Sequence, residues 1–287
     1  MSISALMKCT AFLRQFAYGS TTDAFDEYLQ MSEHTARDAL FFFNMCIIEL
    51  YMPTYLRKPT SEDVSHGKIN TVGVIKKYPT IMLEAVASQD LWIWHAFYGI
   101  ACANNDINVL DNSLLFDDLL DDLAHVVLYV VNEVEYRNGY YLADGIYPEW
   151  TSFVKSFTVA TDPKHTYFKQ RQKSARKDVE RAFGVLQGRW GLIQQPARAY
   201  EVNTLCRIMY AGVIMHNMIL EDQNMSIIDM NHVYSNPARS MQIMWIDRCE
   251  TQCRKAKELR DSDTHISLQQ NLMNHIWREV EEASEED

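Results

Sequence analysis

The chain has 287 residues, 47% hydrophobic and 23% charged, which excludes a disordered protein and allows one large or two modest globular domains. Its formal net charge of -11 argues against indiscriminate coating of nucleic acid, although an average over the chain leaves room for a local basic surface.

In chain order, SISALMKCTAFLRQFAYG reads as an amphipathic helix with a glycine stop. STTDAFDEYLQM follows, with Ser20 or Thr21 as its N-cap, and SEHTARDALFFFNMCIIELY makes a third helix capped by Ser32. The last two have the rhythm of a helix-turn-helix, which packing alone also produces; Arg37 is offset there by Glu33 and Asp38. MPTYLRKPTSEDVSHGKINTVGVIKKYPT has prolines and no sustained period, so a domain boundary is expected in it. PTIMLEAVAS and QDLWIWHAFYG read as paired strands turning at Ser88 to Asp90. Their aromatic residues, Trp92, Trp94, Phe97 and Tyr98, are better explained as core than as base-stacking platforms, and His95 likewise.

DINVLDNSLLFDDLLDD reads as a helix with Asp106 at its N-cap, and HVVLYVVNEVEYRNGYYLAD as a hairpin whose second strand ends at Asp144. GIYPEWTSFVKSF is expected to be a loop leading to a short helix. TYFKQRQKSARKDVERAFGVLQGRWGLI is a long helix and then an extended segment, and its basic side is the strongest in the chain. NTLCRIMYAGVIMHNMILEDQ is a mostly buried helix in which His216 reads as a hydrogen-bonded core residue. The C-terminal stretch ends on VEEASEED, expected to fray. No run reads as a membrane span, no secretory signal is expected, and the six cysteines are scattered as reduced thiols.

Asp144 follows an apolar strand and Glu180 lies on the basic helix. Two carboxylates so placed are hard oxygen ligands for a divalent ion, and paired ions activate water and stabilise the leaving oxygen in phosphodiester cleavage. The plainer alternative has Asp144 capping a turn with Gly145 and Glu180 pairing with Arg176 or Lys177.

PTIMLEAVASQDLWIWHAFYG, NNDINVL, GYYLADGIYPEW, ARKDVERAFGVLQGRW and IMHNMILED, in that order, closely resemble the plant branch of the PIF/Harbinger transposases and their domesticated relatives of the antagonist-of-like-heterochromatin type. The resemblance covers roughly residues 1–222. It implies an α/β fold with an RNase H-like core, preceded by a small helical domain, and nuclear, metal-dependent DNA chemistry through three acids and two Mg2+ or Mn2+ ions. Asp144 and Glu180 match the second and third acids. The first belongs on a strand between YLRKPTSED and KYPTIMLEAVAS, where this chain has only VSHGKINTVGVIK.

The expected core therefore lacks the family's first strand and its acid. INTVGVIK, with apolar Ile69, Val72, Val74 and Ile75, offers a substitute strand; otherwise the helices pack around a weakened sheet. The expected organisation is a helical domain over 1–58, a shortened junction over 59–77, the truncated core over 78–222 and a helical extension with an acidic tail over 223–287. The functional expectation is a transposase-derived protein, catalytically impaired, retaining DNA contact through Arg176, Lys177, Arg181 and Arg189, or contact with nuclear and chromatin proteins. Two alternatives stand beside it: a metal-dependent endonuclease with a recruited third acid, and a non-functional relic.

Overall fold

The computed structural model describes residues 3–57, 70–78, 81–98, 128–136, 139–145, 147–157, 159, 162–195, 201–225 and 261–285. Contacts divide the chain into two units: Met1–Arg57 with Trp92–Trp94 and Arg181–Met230, and Lys58–Leu91 with His95–Glu180 and Asn231–Asp287. Each unit is built from stretches far apart in sequence.

The first unit is helical. α1 (Ala5–Tyr18) starts at Ser4, whose Oγ accepts the Met7 N–H at 3.3 Å, and stops at Gly19, where φ is 64°. A side chain at Gly19 would be strained there and would meet Gln195 at 2.5 Å. α2 (Ala24–Leu29) begins at Asp23, which makes no side-chain cap, so neither Ser20 nor Thr21 fills the expected position. α3 (Glu33–Tyr55) is capped by Ser32 and runs through Pro53, so the helix continues into the stretch expected to be irregular.

α1 and α3 meet through Phe12 stacked on Phe43, centroids 4.0 Å apart, and through the buried Gln15 amide donating to the Ala36 carbonyl at 2.9 Å. Phe16 meets the edge of Trp190. The extended segment expected after Trp190 is instead a short helix (Gly191–Gln194, termed α5 below). Gly191 permits it, because a Cβ there would sit 2.8 Å from the Ala17 carbonyl oxygen.

The second unit holds the sheet. β1 (Asn70–Tyr78), β2 (Ile81–Ala87), β3 (Ile93–Tyr98), β6 (Tyr141–Leu142) and β7 (Phe153–Val154) lie in the order β3-β2-β1-β6-β7. β1 is antiparallel to β2, from Thr71 opposite Ala87 to Tyr78 opposite Ile81. It is parallel to β6, with Asn70 beside Tyr141 and Thr71 beside Leu142, and β6 is parallel to β7. INTVGVIK, from Asn70 onward, therefore lies in the middle of the sheet. β2 and β3 are joined over Ser88–Trp92 through a turn in which the Leu91 N–H meets the Ser88 carbonyl at 2.9 Å. Leu83, Ala85, Val86 and Ala87 are all buried, as both faces of an inner strand require.

β4 (Tyr129–Val131) and β5 (Val134–Tyr136) form a separate hairpin. Asn132 and Glu133 both have positive φ, 49° and 67°, which closes the two-residue turn whose twist suits a hairpin. The hairpin thus ends before Tyr141, and GYYLAD belongs to the main sheet rather than to the hairpin expected from sequence. Likewise, GIYPEWTSFVKSF leads into β7, whose Phe153 and Val154 are buried, and no helix begins until Pro163.

α4 (Pro163–Arg189), α5 (Gly191–Gln194), α6 (Val202–Met225) and α7 (Ser262–Glu285) complete the described elements. The helix expected over DINVLDNSLLFDDLLDD, with Asp106, lies outside the described residues. The acidic C-terminal run is helical to Glu285 rather than frayed. α7 supplies Leu268, Leu272 and Met273 to a cluster with Val131, Tyr136, Leu142, Val154 and Phe168, and that docking holds the helix together. Asn271 reinforces it by donating to the Tyr136 hydroxyl at 2.7 Å, while Asn132 donates to the Asn271 carbonyl at 2.7 Å. No described helix is long and apolar enough to cross a membrane.

Candidate acidic site and basic helix

β6 delivers Asp144 to the point where the chain leaves the sheet. Ala143 still pairs with β7, its N–H meeting the Val154 carbonyl at 3.1 Å, and Asp144 then opens a turn closed by the Tyr147 N–H. Asp144 Oδ1 accepts the Gly145 N–H at 2.7 Å, which fixes the carboxylate, and the side chain keeps half of its surface in solvent. This is the turn-capping role that the residues alone allowed.

α4 is tied beside this turn by a side chain that sequence reasoning missed. Gln172 is buried, and its amide donates to the carbonyls of Ala143 at 3.0 Å and Val154 at 3.2 Å. Bridging the ends of two parallel strands in this way sets the position of the helix against them. Residues four apart share a helix face, so Gln172, Arg176 and Glu180 form one ridge along α4. That spacing was the available signal; Gln172 was overlooked because glutamine carries no charge.

Arg176 Nη1 lies 3.4 Å from Asp144 Oδ2, and the arginine is the more enclosed partner, its side chain 22% exposed against 53%. The Arg176–Glu180 pair that sequence spacing allowed is thus replaced by a pair to Asp144. Glu180 is exposed and makes no salt bridge among the described residues. The neighbouring strand adds no acid, because β1 reads NTVGVIKKY. Its parallel pairing with β6 runs from Asn70 beside Tyr141 to Thr71 beside Leu142, two residues before Asp144. Two divalent ions need more oxygen ligands than two carboxylates supply, and none of the residues of β1 is a carboxylate. Among the described residues no three His, Cys, Asp or Glu side chains gather as a ligand set.

The other basic residues divide. Lys177 and Arg181 are exposed on α4. Arg189, at the end of the helix, donates from Nη1 to His216 Nδ1 at 3.1 Å and to the His216 carbonyl at 3.2 Å, and from Nη2 to Gln223 at 3.2 Å. Burial lowers its pKa from the usual arginine value. A guanidinium only donates, so His216 Nδ1 accepts and the neutral ring carries its proton on Nε2. His216 is fully buried.

Next to it, Asn217 accepts the Ile93 N–H at 3.1 Å and donates to the carbonyls of Ile93 at 2.8 Å and Tyr55 at 2.6 Å. Cys9, Cys46 and Cys206 are free thiols; Cys102, Cys249 and Cys253 lie outside the described residues.

Comparison with known families gives one match: a family model described as plant transposon protein covers residues 54–226. The span is more than half of the chain and contains Asp144, Glu180, α4, α6 and the whole five-stranded sheet. No curated protein and no solved structure matches.

Proposed function

The chain belongs to the plant transposon protein family, and from that premise we propose a transposase-derived nuclear protein of the Harbinger kind, catalytically impaired, whose remaining work is contact with DNA or with nuclear and chromatin proteins. The sheet order supports an RNase H-like core: an antiparallel half, β3-β2-β1, continues into a parallel half, β1-β6-β7. On that reading Asp144, at the end of β6, and Glu180, on α4, are the second and third acids.

The observation that carries the impairment is β1. The strand occupies the middle of the sheet, yet offers no carboxylate beside Asp144. Mg2+ or Mn2+ in such a core would activate the attacking water and stabilise the leaving oxygen. Here Asp144 and Glu180 are the residues that would face the ion. Two acids without a bridging third do not fit a pair of ions, and no catalytic step is derived through them.

DNA contact needs cationic donors that reach solvent. Lys177 and Arg181, exposed on α4, meet that requirement better than the less exposed Arg176, which holds Asp144, or Arg189, which holds His216. Contacts of this kind go to phosphates, so they position the protein without reading sequence.

The test is a salt-dependent titration of the full chain with duplex DNA, beside a cleavage assay in Mg2+ and Mn2+. Replacing both Lys177 and Arg181 with Glu should flatten the dependence of log affinity on log salt by roughly 2 and weaken binding about tenfold or more. Cleavage should not rise above that of Asp144→Asn. Cleavage lost on Asp144→Asn and on Glu180→Gln would overturn the impairment and restore a nuclease with a recruited ligand. Absence of binding to both DNA and nuclear-protein extract by a cooperatively folded chain would leave the relic reading.

A further inference from the structure

We infer that Arg176 is the resident counter-ion of the acidic site: its guanidinium takes the electrostatic place of a divalent cation at Asp144, so this end of the sheet is neutralised from within and does not recruit a metal. The inference deepens the impaired-core reading and rests on it.

Three observations converge. Both Asp144 oxygens are engaged, Oδ1 by the Gly145 N–H at 2.7 Å and Oδ2 by Arg176 Nη1 at 3.4 Å. The cation is the more enclosed member of the pair, as expected of a group built into the site rather than laid over it. Its position is also fixed from behind, because Gln172, one turn earlier on the same ridge, is bonded to the carbonyls of Ala143 and Val154. Glu180 stands one turn later, so the arginine lies along α4 between the anchor and the second acid.

Charge bookkeeping gives the same direction. Two carboxylates and one guanidinium leave a net charge of -1, too little to offset a divalent cation, whereas without the guanidinium the two carboxylates would leave -2. Arginine does not lose its proton at accessible pH, so an incoming ion has to displace it rather than neutralise it. Mg2+ also gives up its water reluctantly and tolerates only near-octahedral oxygen geometry. β1, which flanks β6, supplies no carboxylate to offset that cost. Arg176 is thus a positioning residue that holds Asp144 and the turn after β6 in place.

The experiment follows thermal unfolding and calorimetric Mn2+ titration of the full chain. Wild type should show no Mn2+ heat and no change in Tm at millimolar Mn2+. Arg176→Gln should lower Tm by about 1–3 °C, the scale of one partly exposed ion pair. Mn2+ should then raise the Tm of this variant, and the rise should vanish in Arg176→Gln combined with Asp144→Asn. Arg176→Lys, which keeps the charge, should stay unresponsive to Mn2+ and serves as the informative variant if Arg176→Gln does not fold. Saturable Mn2+ binding by wild type that is lost in Asp144→Asn would overturn the inference. So would an Arg176→Gln protein that neither loses stability nor gains a response, or an Arg176→Lys protein that binds Mn2+. These readouts are separate from DNA affinity, which depends on Lys177 and Arg181, so failure of the counter-ion leaves the DNA titration standing and the reverse holds as well.

Discussion

The helical unit and the sheet unit differ in how many of their described buried polar groups go without a hydrogen bond. In the helical unit Gln15, Trp190 and Asn217 are bonded to backbone carbonyls of other segments, and Arg189 is bonded to His216. Among the described residues, Asn44 Oδ1 is buried without a hydrogen bond there. In the sheet unit the described buried groups without one include Glu84, at both oxygens, and the hydroxyls of Tyr129 and Ser152. Burial raises the Tyr129 pKa far above its usual value, with Tyr140 and Tyr136 adding to the shift. Buried polar residues join elements in both units, Gln172 doing so in the second, but more of the described groups that cost stability with no hydrogen bond in return lie in the second. Unpaired polar groups are characteristic of sites shaped by something other than stability, and they gather in the unit that carries both acids.

The largest expected effect comes from breaking a joint. Asn217 is fully buried, and its amide behaves as a short strand toward Ile93, taking its N–H and giving to its carbonyl, while a second donor reaches Tyr55. Asn217→Ala leaves three backbone groups unpaired, and stability should fall by about 3–4 kcal/mol. Urea unfolding monitored by tryptophan fluorescence checks this. A loss below about 1 kcal/mol would mean that the backbone is rehydrated easily and that the joint contributes little to the first unit.

Glu84 sharpens the contrast from the other side. It is fully buried on β2, makes no hydrogen bond among the described residues, and has only His95 Nε2 at 3.7 Å as an ionic partner. Removing a carboxylate with so little compensation should help rather than harm. Glu84→Met, of similar length and apolar, is expected to raise stability by about 1–2 kcal/mol. The same denaturation experiment reads it, and a loss of stability would show that the His95 pair outweighs the cost of burying the charge.

How much of this was legible in the sequence depended on how local the cause was. The cap at Ser32, the glycine stop at Gly19 and the buried helix over Val202–Met225 rest on neighbouring residues, and all three were read in advance. The boundary of the hairpin was not, because Asn132 favours the left-handed region but Glu133, beside it in a row of strand-like residues, does not. Asp144 and Glu180 were singled out by the resemblance of their motifs, and the turn-capping role of Asp144 was readable from Asp-Gly alone. The partner of Asp144 was not readable: Arg176 lies 32 positions away by number, and its choice between Asp144 and Glu180 is set by Gln172 pinning α4 to two strand ends. Arg189 was assigned to the basic surface for the same reason, since its partner His216 comes from another helix.

The smallest expected effect concerns an exposed polar joint on the sheet unit, the start of α4. Asp162 Oδ1 accepts the His165 N–H at 2.8 Å and faces the His165 ring nitrogen at 2.8 Å, just ahead of Pro163 at the first helical position. Its pKa is lowered from 3.8, first by the His165 backbone bond and then by the His165 side chain. A carboxyl whose folded pKa is depressed contributes stability above its unfolded value and loses that contribution as pH falls through the folded value. The contribution of Asp162 is therefore present at neutral pH and disappears below about pH 4. Asp162→Ala should lower Tm at neutral pH, and the gap to wild type should narrow as the pH falls through the depressed folded-state pKa. Asp162→Asn retains a cap oxygen but not the charge, so its Tm should lie between the two with a weaker pH dependence. A gap between wild type and Asp162→Ala that stays constant down to acid would assign the cap to its hydrogen bond alone. The exposed joint would then work as the buried Asn217 does, through geometry and without charge.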